Sequence, residues 1–187
     1  LPNMVVLAPG DSLEAFKATL AMAGDKRPNY MRVTREATPV ITTMHSPFEI
    51  GRAYVYQEGI DITLIATGTM TYQALEAAKI LAKDGINAEV VHVPTLKPLD
   101  GQTILSSAKK TRHVVTAEEG QINGGLGGAV SEFLGENLPT PIIRIGMRDR
   151  FGESGKPDEL IKFFGLDSAH IAIAAHNLML DHKNHKH

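Results

Sequence analysis

The chain has 187 residues, 43% of them hydrophobic and 21% charged, with a formal net charge of −2 and no cysteine. That length suits one ordinary domain, or one domain and part of another, with a core of useful size. The composition excludes disulfides, thiolate metal sites and a cysteine nucleophile, and the absence of basic clustering before the last few residues argues against a nucleic-acid partner. The chain opens LPNMVVLAPGD, without an initiator Met and with a buried-type strand almost at once, so a fragment cut upstream of Leu1 is expected. Met4 to Leu7 is that strand, and Pro9-Gly10 ends it. Asp11 caps a helix with Glu14 three residues on. Leu13, Phe16, Leu20 and Ala23 share one face of it, and Gly24 stops it. Tyr30 to Thr34 reads as a second strand. Such a strand-helix-strand unit could not bury both its faces alone, so it reads as the tail of a larger domain.

Glu36 to Arg52 carries two prolines, several threonines and little periodicity, and reads as a linker. Ala53 to Gln57 and Ile62 to Thr67 are strands, and the short Glu58–Asp61 connection predicts a hairpin, hence one antiparallel strand. Thr69 is the expected cap of a helix to about Lys83, with Met70, Ala74, Ala77, Ala78 and Leu81 inward. Ala88 to Pro94 is nearly continuously apolar, the mark of a strand buried on both faces. Asp100 caps a short helix, His113 to Thr116 is a strand, and Ala129 to Leu134 is helical. Ile142 to Ile145 is the next strand, Pro157 opens a helix, and Asp167 or Ser168 caps a last helix to about Leu180. The alternation predicts an α/β fold of three α/β/α layers. Its sheet is expected to be mostly parallel, of about five strands with one antiparallel, after a strand-helix-strand remnant of a second α/β domain. The corresponding divisions are 1–36 for the remnant, 37–50 for the linker, 51–180 for the main domain and 181–187 for a disordered tail. No apolar run is long enough to cross a bilayer, so no membrane partner is expected and a cytoplasmic location is.

Glu118 to Val130 reads EEGQINGGLGGAV, which raises the question of a phosphate cradle. The spacing is wrong for the dinucleotide fingerprint, since after Gly125 and Gly127 the third glycine position is Val130. There is no Walker lysine, and two carboxylates open the loop. Glycines that let a helix start approach another backbone closely are the better reading. Glu118 and Glu119, as strand neighbours, point to opposite faces, so acid-base work on one substrate is disfavoured; one of them is expected to cap N–H groups of the glycine turn.

Asp149-Arg150-Phe151-Gly152-Glu153-Ser154-Gly155 follows a strand end, where ligands sit in parallel sheets, though a solvated turn reads equally well. Arg32 and Arg35 flank the end of the second strand, a place suited to a phosphate or simply to a solvated charge. The eight histidines show no clustering with carboxylates in sequence; His182, His185 and His187 fall in the tail, where only adventitious metal binding is expected. Ser131 lacks a nucleophile-elbow context. Nothing here supplies a complete catalytic set or a metal site.

Taken together, LPNMVVLAPGD, RPNYMRVTREATPV, ITLIATGTMTYQALEAAKIL, VVTAEEGQINGGLGGAVSEFL and RIGMRDRFGESGKPDELIKFFGL resemble the carboxyl-terminal part of a transketolase, in particular the split type made of two polypeptides. FGESG is the most discriminating stretch; 2-oxo-acid dehydrogenase beta subunits and deoxyxylulose-phosphate synthases share the glycine loop but differ there. The resemblance implies a thiamine-diphosphate enzyme, with a magnesium or calcium ion, moving a two-carbon ketol unit between sugar phosphates in a reaction of the pentose phosphate pathway. It implies an N-terminal transketolase subunit as partner, homodimerisation, and a cofactor bound outside this chain, with no catalytic, cofactor or metal residue here and no activity alone. One functional position carries over: within RVTRE, Arg35 matches the family's sugar-phosphate arginine. The alternatives are a 2-oxo-acid dehydrogenase beta subunit and a non-catalytic interaction module of the same fold.

Overall fold

Asp11 starts the first helix as its sequence position demands: its side chain accepts the Glu14 N–H at 2.9 Å, and α1 runs Ser12–Gly24. The structure, a computed structural model, describes residues 1–184. On either side of α1, β1 (Val5–Leu7) and β2 (Asn29–Met31) pair in parallel. The apolar row of α1 does not face the core. Phe16 and Leu20 are exposed, while Glu14 and Ala18 are buried. Glu14 is drawn inward by hydrogen-bonding partners that its carboxylate finds there, which rotates the apolar stripe outward.

No helix or strand forms between Met31 and Tyr54, yet the segment is fastened. The second oxygen of Asp11 accepts the N–H groups of Ile41 and Thr42 at 2.8 and 2.6 Å, and the Thr42 hydroxyl donates to the first at 2.8 Å. Burial pushes the Asp11 carboxyl up, but these donors together outweigh it and hold the group below the ordinary carboxylate range. Lys17 donates to the carbonyls of Thr43 and Ser46, and Phe48 and Ile50 pack on Val5, Leu7 and Ala18.

The remaining strands are β3 (Tyr54–Gln57), β4 (Ile62–Ala66), β5 (Ala88–His92), β6 (Thr95–Lys97), β7 (Val114–Gln121) and β8 (Ile142–Met147). Five of them form a mixed sheet in the order β3-β5-β4-β7-β8, parallel except for β3. One antiparallel strand is as expected; the hairpin is not. Both edges of β4 are taken by parallel partners, β5 and β7, so β3 pairs along the free edge of β5. The connection reverses the chain across the start of β5: Ile60 and Asp61 donate to the Asn87 carbonyl, and a Cβ on Gly59 would lie 2.2 Å from the Ala88 backbone.

Helices α2 (Met70–Lys83), α3 (Gly101–Thr111), α4 (Leu126–Asn137), α5 (Pro157–Phe163) and α6 (Ser168–Asn184) cover the sheet. Alternation along the strands sends Ile62 and Leu64 to the face packed by Met70, Leu81 and Ile171, and Ile65 to the face packed by Ile104, Val130 and Leu134. The five predicted inward residues of α2 are all buried. Thr69 does precede α2, but its hydroxyl makes no cap and goes instead to Glu119. The element that the sequence hides is β6: it pairs antiparallel with β1 and gives a second sheet, β2-β1-β6, that joins the first lobe (β1, α1, β2) to the second. The C-terminal helix α6 continues through Asn184, so the first part of the supposed disordered tail is helical; residues 185–187, with His185 and His187, lie outside the described residues. No helix among the described residues is long and apolar enough to cross a membrane.

Candidate functional site

The chain leaves β4 over one face of the sheet, into α2, and leaves β7 over the other, into α4. Because β4 and β7 are neighbours, their loops diverge and open a crevice at the strand C-terminal ends, the position where ligands bind in such sheets. Here the crevice holds a side chain of the first lobe. Arg32, one residue beyond β2, donates to Glu119 at 2.6 Å; Thr69 donates to the other oxygen of Glu119, also at 2.6 Å. A Cβ on Gly68 would sit 4.0 Å from the Arg32 guanidinium.

Glu118 and Glu119 point to opposite faces, as their adjacency in a strand predicts. Glu119 faces α2 through Thr69, and Glu118 faces α4. Glu118 accepts the N–H groups of Leu126 and Gly127 at 2.9 and 2.8 Å, so the capping role expected for one of the two falls to it. Burial pushes its carboxyl up, against the opposing effect of those two N–H groups and of Arg32 and Arg144. The glycines let this happen. A Cβ on Gly125 would lie 1.9 Å from Glu118 Oε2, one on Gly127 would lie 2.8 Å from Thr116 Oγ1, and Gly124 has φ +77. The positive end of α4 is thus answered by the protein's own carboxylate, which leaves it no call on a phosphate.

Arg35 stands clear of this cluster. Its side chain is 94% exposed, and the neighbouring Glu36 lies 3.2 Å away. Exposed pairs of this kind are weak, so the guanidinium is free to exchange partners. Arg35 lines a cavity of about 730 Å³ between the lobes, together with Arg32 and with Arg150 and Phe151 of the DRFGESG loop. Gln121 fastens that loop by accepting the Asp149 N–H at 2.9 Å and donating to the Arg150 carbonyl at 3.1 Å. The loop therefore belongs to a cavity wall, which the sequence left undecided. Three arginines in the lining are matched by Glu36, Glu119 and Asp158, so the cavity as a whole is balanced in charge.

The histidines do meet carboxylates once the chain is folded. His170 pairs with Asp167 at 2.5 Å and His176 with Asp84 at 3.0 Å. The fully buried His92 lies 2.7 Å from Glu14 Oε2, which also accepts the Gly10 N–H at 2.6 Å; its other nitrogen meets the Thr71 hydroxyl at 2.6 Å, and its ring packs on Tyr56. This network ties α1 to β5 across 78 residues. A histidine inside the apolar run VVHVP was the available signal. No three His, Asp or Glu side chains among the described residues gather around a metal position. Ser131 donates to the Gly127 carbonyl within its helix.

The model of the transketolase C-terminal domain family matches residues 51–171. A 6-deoxy-6-sulfo-D-fructose transketolase subunit from a Clostridium species is 45% identical, over 95% of this chain and 55% of its own length. A putative transketolase C-terminal section from Methanocaldococcus jannaschii is 43% identical over 92% of this chain and 54% of its own. The solved structure of a split-gene transketolase, an inactive β4 tetramer, superposes with a TM-score of 0.93 at 40% identity, covering 96% of this chain and 59% of that one. The chain spans about half the length of the curated relatives it matches.

Proposed function

The chain belongs to the transketolase family, whose C-terminal domain it carries over residues 51–171, and from that membership we propose that it acts as the C-terminal subunit of a split transketolase. With an N-terminal transketolase subunit as partner, it takes part in moving a two-carbon ketol unit between sugar phosphates. Its own contribution is Arg35, which binds the sugar phosphate, and surfaces for contact with other subunits, including a second copy.

The observation that carries the reading is the state of Arg35. It sits four residues past the end of β2, exposed, beside a cavity between the lobes, with a weak exposed pair as its ionic partner. A guanidinium so placed suits bidentate bonding to phosphate oxygens. The glycine-rich helix start is closed by Glu118, and the described residues offer no cluster of metal ligands. The same proposal, resting on the resemblance, seats thiamine diphosphate and its magnesium or calcium ion on protein outside this chain.

In the complete assembly, Arg35→Ala is expected to raise KM for sugar-phosphate substrates about 10- to 100-fold, the value of a charge-assisted bidentate contact. Affinity for thiamine diphosphate should be unchanged. Steady-state kinetics with ribose phosphate as acceptor check this, and an unaltered KM would contradict it.

A further inference from the structure

We propose that Glu119 is a positioning residue for the sugar-phosphate arginine: from the second lobe it sets where the end of β2, and therefore Arg35, comes to rest. This deepens the reading of Arg35 given above and rests on it.

The Arg32 N–H donates to the Leu7 carbonyl at 2.9 Å, the last rung of the β1–β2 ladder. Beyond it residues 33–36 have no strand partner. Arg32 is therefore the last backbone position fixed by the sheet before Arg35. Three residues of extended chain reach at most about 10 Å, so Arg35 is tethered within that distance of Arg32. The Arg32 side chain is anchored across the lobe boundary by Glu119, whose carboxylate has a charged donor on one oxygen and a hydroxyl donor on the other. The Glu119 side chain is 17% exposed and that of Arg32 40%, so the pair is screened by solvent on the arginine side and sheltered on the carboxylate side. Glu119 lies two residues past the last rung between β7 and β4, and on the second lobe its carboxylate is held by the Thr69 hydroxyl at the start of α2. The second lobe thereby fixes a reference point for a binding residue of the first.

Glu119→Gln keeps size and removes charge. Its amide can donate to the Thr69 hydroxyl while its carbonyl still accepts from Arg32, so the fold should persist while the anchor loosens. In the complete assembly, KM for ribose phosphate is expected to rise about 3- to 10-fold, with kcat, affinity for thiamine diphosphate and KM for unphosphorylated ribose unchanged. In an Arg35→Ala background the same substitution should add nothing, because the group it positions is gone. Arg32→Gln, which loosens the pair from its other side, should give the same phosphate-specific shift and serves if Glu119→Gln unfolds. Equal effects on both acceptors, or a full effect persisting without Arg35, would reduce the pair to lobe packing and overturn the proposal. So would no effect of Glu119→Gln where Arg35→Ala has its own. If Arg35→Ala itself leaves KM unaltered, the phosphate reading fails first and this proposal falls with it.

Discussion

Gly125→Val is expected to cost about 2–6 kcal/mol, and to lower Tm by roughly 4–24 °C where the chain still folds. A Cβ at this position would lie 1.9 Å from Glu118 Oε2 and 2.7 Å from the Gln121 carbonyl oxygen, both far inside contact distance. The backbone carbonyl cannot yield, so the carboxylate must. Its departure strips the Leu126 and Gly127 N–H groups of their acceptor and leaves a buried acid without its donors. Two effects therefore add: overpacking, at about 1–3 kcal/mol, and loss of a charged helix cap, at about 1–3 kcal/mol. Gly135, in the same helix, is the natural control. A Cβ there meets nothing within 4 Å, so Gly135→Ala should be neutral or should stabilise by up to about 1 kcal/mol. Urea unfolding of the two variants compares them directly. A Gly125→Val protein as stable as the parent would mean that the loop serves something other than close approach.

Glu14→Ala should destabilise by about 3–5 kcal/mol, because it leaves His92 buried without its carboxylate and the Gly10 N–H without its acceptor. Glu14 and His92 are both fully buried, so little water can enter to compensate. The pair joins the lobes alongside the short β1–β6 ladder, the Gly68 N–H to Ala8 carbonyl bond and the Arg32–Glu119 contact. Replacing both residues, as Glu14→Leu with His92→Leu, should cost clearly less than the sum of the two single changes. Denaturant titrations of the four proteins give the coupling. Strict additivity would show that the two side chains do not act together.

Much of this was legible in the sequence because it is local or periodic. Asp11, Asp100 and the inward row of α2 follow from capping and from 3.6-residue spacing, and the opposite facing of Glu118 and Glu119 follows from the two-residue period of a strand. The resemblance that singled out Arg35 likewise rested on contiguous stretches. What escaped depends on contacts remote along the chain. β6 is three residues long and has no pattern of its own until β1 lies beside it. The expected hairpin failed because β4 is already paired on both edges, which a local spacing cannot reveal. Which face of α1 is buried was not legible, because a glutamate, which solvent normally claims, is bonded inward to a histidine 78 residues away. At the lobe boundary, Arg32 and Arg35 look equivalent in sequence. The fold separates them, giving Arg32 to Glu119 and leaving Arg35 exposed.

In the proposed division of labour this chain supplies a phosphate-binding arginine and contact surface while the cofactor is seated elsewhere. Calorimetric titration of thiamine diphosphate with Mg²⁺ tests it, run against this chain alone and against its equimolar mixture with an N-terminal transketolase subunit. The expected result is no saturable heat from the chain alone and stoichiometric binding to the mixture. Tight binding of thiamine diphosphate to this chain by itself would contradict the account.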